Sequence, residues 1–304
     1  MKLGLHKITN KISTLFSLTV FNQRIPFSYV VFNFLYNKYL ISKKIEDKEI
    51  LNFHESGFVK LNINLSNEID AYKDKFFFKD EEIKKRPERV NFHLSDDDKD
   101  GFIKIIKKKL DPTLKKLENY FNCDVFISDV LPFRIYHVKD NGIDKEYYSN
   151  HYHQDAYLKI YNKIHINLMD VEEKDGPLHI IPVKNKKKFF KSFNYKDRNN
   201  YNMYGDQSLV HKNVGKKGEC CLFSSSEIMH KAGVPNEHRD MMQITIITYP
   251  KKYYENLFFL ENEKIFFPHN LNNIKKLAKP SGLINVIKIF LRLIKKKRSF
   301  VNSK

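Results

Sequence analysis

The sequence predicts an α+β chain with a mainly β core and flanking helices, and three observations carry that prediction. Six short β-prone runs, bounded by Gly, Pro, Asn or Asp, fall at 125–127, 132–138, 157–170, 178–181, 219–223 and 242–249. Within Lys163-Ile164-His165-Ile166-Asn167-Leu168-Met169, Ile164, Ile166 and Leu168 alternate with His165 and Asn167, the period of a strand with two different faces. A helix pattern over 95–117 precedes the strands. Many short strands separated by turn residues close as a sandwich or a jelly-roll barrel.

Along the chain, residues 1–45 form a basic, aromatic-rich N-terminal extension. From Lys48 the pattern changes, and residues 50–61 read as a short helix, a turn at Gly57 and a strand. Residues 67–85 are helix-compatible. Ser95 is an N-cap candidate, and Asp96, Asp97 and Asp98 after it suit the positive end of a helix dipole. Pro112 is expected to break or restart that helix. The strands then occupy the rest of a domain spanning 46–255, and no internal repeat is present. The tail, 256–304, carries a basic stripe: in 283–298 the polar positions are Asn285, Lys288, Arg292, Lys295 and Lys296 on an otherwise mostly apolar helix. Such a helix either packs on the domain or lies on a membrane surface.

Composition narrows the function classes. With 304 residues, 41% of them apolar, the chain is long enough to bury a sizeable core and is not a disordered one. Lys and Arg number 54 against 36 Asp and Glu, a net charge of +18. That excess is spread along the chain and no nucleic-acid-binding signature accompanies it, so it reads as solvated lysines. Cys123, Cys220 and Cys221 lack both a pairing framework and zinc spacing. Reduced thiols and a cytoplasmic setting are the expectation, with membrane attachment through the tail helix as the variant. The uncharged stretches at 12–22 and 25–37 fall short of the ~20 residues that span a bilayer.

The chemistry centres on His151-Tyr152-His153-Gln154-Asp155. Side chains two apart on a strand point the same way, so His153 and Asp155 can offer an imidazole and a carboxylate to one metal ion. A His-x-Asp pair alone is a frequent accident, and a second stands at His238-Arg239-Asp240. The first pair is followed by a glycine turn at Gly218, a strand, and Ser224-Ser225-Ser226-Glu227-Ile228-Met229-His230; Arg239 stands at the root of the last strand. Two histidines and a carboxylate form the facial triad of non-haem Fe(II) oxygenases, which leaves coordination positions open. An arginine nearby can grip a carboxylate with two parallel hydrogen bonds.

His153-x-Asp155, Gly176-Pro177-Leu178-His179-Ile180-Ile181-Pro182, His230 and Arg239 together resemble the phytanoyl-CoA dioxygenase family of Fe(II)/2-oxoglutarate oxygenases. Phe53-His54-Glu55-Ser56-Gly57-Phe58-Val59 is similar to the segment that opens the family's domain, and the likeness covers about 48–250. It implies a double-stranded β-helix (jelly-roll, cupin-like). It also implies Fe(II) on His153, Asp155 and His230, and 2-oxoglutarate with its 5-carboxylate on Arg239. O2 is the second cosubstrate, and a small-molecule or acyl substrate is hydroxylated with release of succinate and CO2.

Two departures stand out. Val183-Lys184-Asn185 follows Pro182 where the family has Gly-Ser-His, and Met241 replaces a serine two residues after Arg239. Another polar group must therefore assist the cosubstrate, and Tyr136, Asn167 and Gln243 are the candidates. His151 is a further donor beside the triad or faces substrate. Two rivals remain: a cupin-like metal-binding protein or isomerase that does not use 2-oxoglutarate, and a basic peripheral membrane or nucleic-acid-binding module.

Overall fold

The computed structural model describes residues 45–143, 145–155, 161–193 and 206–250. Almost all of the N-terminal extension, the tail on which an amphipathic helix is expected, and residues 194–205 lie outside the described residues.

Helix α1 (Lys48–Ser56) begins where the Asp47 side chain accepts from Ile50 N at 3.0 Å. It ends at Gly57, whose φ of +78° turns the chain into strand β1 (Phe58–Asn64). Helix, turn and strand follow the sequence reading. The 67–85 segment instead breaks into α2 (Ser66–Asp70), a 3-10 turn and α3 (Asp80–Lys85). Its three consecutive phenylalanines cannot share a helix because their partners diverge. Phe76 packs edge-on against Phe102, Phe77 bridges His93, and Phe78 stacks on Phe92.

Strand β2 (Arg89–Asn91) leads into α4 (Asp96–Phe121), 26 residues long. Ser95 caps it, accepting from Asp98 N at 3.2 Å. The helix runs through Pro112 rather than stopping there. Pro112 and Lys108, whose carbonyl loses its donor, both lie on the exposed face, where the ring meets solvent and the carbonyl is open to hydration. The remaining elements are β3 (Cys123–Tyr136), β4 (Tyr161–Asn167), β5 (Leu178–Ile181), α5 (Lys186–Phe193), β6 (His211–Asn213), β7 (Glu219–Phe223), β8 (Met229–Ala232) and β9 (His238–Pro250). The separate runs at 125–127 and 132–138 are one strand, β3, with a bulge between Ile127 and Asp129.

All strand pairs are antiparallel and form two sheets, β1-β7-β4-β9-β3-β2 and β6-β5-β8. The larger sheet buries a different residue set on each face. Ile164, Ile166, Cys220, Leu222, Met242 and Ile244 join Phe102, Ile106, Leu110, Leu114 and Leu117 of α4 in the main core. The alternate positions, among them Lys163, His165, Arg239, Met241 and Gln243, face a cavity whose other wall includes Leu178, His230 and Ala232 of the smaller sheet. The chain is thus an α+β fold with a sheet-rich core. Among the described residues no helix is long and apolar enough to cross a membrane.

Candidate metal centre and its cavity

The cavity, about 230 Å³, is where the sequence-distant pieces meet. His153 lies on an irregular segment that pairs with β8. His153 N donates to His230 O and His230 N to His153 O, both at 2.9 Å, and the two form an antiparallel bridge. Residues directly opposed in such a pair present their side chains on the same side, and the two imidazole rings lie 4.3 Å apart between centroids. Two residues on, Asp155 N donates to Ser225 O at 2.9 Å, which holds the carboxylate on the side of the rings. His153 Nε2 is 3.6 Å from Asp155 Oδ1. One donor atom from each of His153, Asp155 and His230 lies within 4.8 Å of the other two, so the three residues can hold a metal ion.

The donor set fits a divalent cation chemically as well. His153 Nδ1 lies 2.7 Å from the His151 carbonyl, an arrangement that makes it the donor and leaves Nε2 as the acceptor. His151 contributes through its backbone, and its ring does not line the cavity. Burial, reinforced by neighbouring His153, holds His230 well below the ordinary histidine range, in the neutral form a metal requires. Burial alone would raise Asp155. Lys163 first, then the two rings, outweigh it and keep the carboxyl well below its usual value. Lys163 Nζ sits 2.5 Å from Asp155 Oδ2 and occupies one oxygen while the other faces His153.

Arg239 lines the same cavity. It is 2% exposed, and its Nε and Nη1 have no hydrogen-bond partner among the described residues. Nη2 donates to Met241 Sδ at 3.5 Å, a weak acceptor standing where the family's serine would be. Burial brings the guanidinium down to about 10, still protonated at neutral pH. A buried, charged and unmatched fork is costly unless an anion completes it.

Of the three assistant candidates, Gln243 faces the cavity, where its Oε1 lies 3.2 Å from His165 Nε2. Tyr136 and Asn167 do not line it. Ile135 and Phe133 are the cavity-facing positions of β3, which turns Tyr136 to the opposite side against Arg134. Asn167 shares the parity of His165 but sits at the end of β4, where its backbone carbonyl accepts from Gly218 N at 2.8 Å. Sequence reasoning had no signal for Arg89 or Tyr148 as lining groups, and Lys163, which shares the strand parity of His165, was not singled out. His165 did carry one, since the alternation in β4 set it on the polar face. Its ring is buried with Nδ1 unpartnered among the described residues, and burial together with Lys163 lowers it to about 3.

No protein-family model and no curated protein sequence matches the chain. Among solved structures it is similar to HygX from Streptomyces hygroscopicus with nickel and 2-oxoglutarate bound, at 11% identity over 69% of this chain and 89% of that one, TM-score 0.44. It is also similar to EctD from S. alaskensis with 2-oxoglutarate and 5-hydroxyectoine, at 12% identity over 69% and 80%, TM-score 0.43. A third similar structure is SnoN, a non-heme alpha-ketoglutarate-dependent epimerase from nogalamycin biosynthesis, at 10% identity over 71% and 90%, TM-score 0.42. At identities this low, the reading of the site rests on its own residues.

Proposed function

We propose that the chain is a non-haem Fe(II)/2-oxoglutarate-dependent oxygenase of the phytanoyl-CoA dioxygenase type, built on a double-stranded β-helix, that hydroxylates a small-molecule or acyl substrate. The observation that carries this reading is the buried, unmatched guanidinium of Arg239 in the cavity that also holds His153, Asp155 and His230. A cation site alone would suit many metalloproteins. A cation site sharing a pocket with a carboxylate-shaped cationic fork suits a dicarboxylate that bridges the two.

In this reading His153, Asp155 and His230 hold Fe(II), and Arg239 donates two parallel hydrogen bonds to the 5-carboxylate of 2-oxoglutarate. The iron with 2-oxoglutarate and O2 supplies the oxidising power for attack on a C–H bond, with succinate and CO2 as coproducts. The protein's own residues orient and shield. The His151 carbonyl fixes the His153 tautomer, Lys163 restrains one Asp155 oxygen, and Phe133, Ile135, Leu178 and Phe223 form the apolar walls that exclude water. The test is anaerobic addition of 2-oxoglutarate to the Fe(II) protein. A weak visible charge-transfer band is expected in wild type and none in His153→Ala, with succinate formation lost in step. A band that survives in His153→Ala removes the assigned centre.

A further inference from the structure

A second guanidinium, that of Arg89, lines the cavity without an ion pair among the described residues. Arg89, on β2, pairs in register with Ile135, and Ile135 pairs with Arg239. The two arginines therefore stand in one row across β2, β3 and β9 and face the same side, about 10 Å apart at two strand spacings. Arg89 lies with its guanidinium carbon 4.0 Å above the Phe133 ring. Among the described residues it has no ion pair or side-chain hydrogen bond; Asp129 acts on it only through space and is itself raised by burial.

Counting the lining charges sharpens the point. Arg89, Lys163 and Arg239 face the single carboxylate of Asp155. Lys163 is already paired with that carboxylate. A divalent ion and dianionic 2-oxoglutarate cancel one another, so the filled site of the proposed oxygenase still holds excess positive charge, and the cation left without a ligand is Arg89. Arg89 is half-buried and stacked on Phe133, and a cation held there without an ion pair is poised for an anion that enters the cavity.

We propose that Arg89 is a specificity-determining residue that receives an anionic group, a carboxylate or a phosphate, of the substrate to be oxidised. This assignment rests on the oxygenase reading above. An aromatic ring beneath the guanidinium fixes its plane, so the anion would meet a pre-oriented fork. A neutral substrate end would leave that half-buried fork without an anion.

The test uses full-length protein loaded with Mn(II) and saturated with 2-oxoglutarate, with inorganic phosphate, acetate and neutral methyl acetate as probes. Paramagnetic relaxation of the probe nuclei by the bound Mn(II) reports their presence in the cavity. The expected result is enhanced relaxation of phosphate or acetate but not of methyl acetate; which anion responds more strongly identifies the favoured head group. Affinity should fall about tenfold or more in Arg89→Gln. Arg89→Lys should retain part of the effect, and unchanged Mn(II) affinity in both variants shows that they fold. Equal relaxation in wild type and Arg89→Gln overturns the proposal. So does a matching loss of 2-oxoglutarate affinity in Arg89→Gln, which would put both arginines on the cosubstrate. If Mn(II) or 2-oxoglutarate does not bind wild type at all, the oxygenase reading itself falls and takes this assignment with it.

Discussion

Lys163 is the residue that most alters the picture of the centre given by its ligands. Its ammonium rests against one oxygen of Asp155 while the other oxygen faces His153. It thereby stabilises the half-buried carboxylate in the metal-free protein, and would repel a cation bound by the triad. Two like charges a few ångströms apart interact by several kcal/mol at most in a partly solvated site. Lys163→Met is therefore expected to tighten divalent binding by about tenfold while lowering the stability of the metal-free protein. Competition titration with Mn(II) measures the first effect and thermal unfolding the second. Weaker Mn(II) binding in Lys163→Met would mean that the lysine chiefly orients the carboxylate. The alternation of the strand puts Lys163 on the face of His165, but nothing in it marks the lysine as a partner of Asp155. It is one of the many lysines in the chain, and only its place two residues before His165, on the same strand face, gives it this role.

Among elements, those with long or alternating patterns were legible and those built by tertiary pairing were not. Strands β5 and β7 fall at 178–181 and 219–223, as the runs between turn residues indicate. Strands β2, β6 and β8 are three or four residues long, too short to show a period, and exist because a neighbour supplies the hydrogen bonds. Pairing of β8 with the His153 segment is what joins the two halves of the triad, and nothing local in either segment encodes it. The α1–β1 turn is the opposite case. Gly57 has φ of +78°, and a Cβ there would come within 2.5 Å of Ile228 Cγ2, so both backbone and space demand glycine. Gly57→Ala is expected to cost about 1–3 kcal/mol, read as a lower denaturant midpoint at unchanged slope. An unaltered midpoint would show that the turn relaxes freely.

At the scale of the whole molecule, the net charge of +18 says little about function, and the charges that matter are few and buried. Two antiparallel sheets enclose three cationic side chains with one carboxylate, and the larger sheet turns its apolar face to α4. Cys220 and Cys221 are buried thiols, each pushed up to about 12 by burial, which leaves them poor nucleophiles at neutral pH. The candidate ligands His153, Asp155 and His230 and the guanidinium of Arg239 were legible as spacings; their convergence, and the cationic lining around them, is a property of the folded sheets. The account stands on the metal and Arg239 acting on one dicarboxylate. Calorimetric titration of 2-oxoglutarate into the Mn(II)-loaded protein tests this most directly. Tight binding is expected that needs the metal, disappears in Asp155→Ala, and weakens about tenfold to a hundredfold in Arg239→Gln. Equal affinity in wild type and Arg239→Gln, or binding indifferent to the metal, would contradict it.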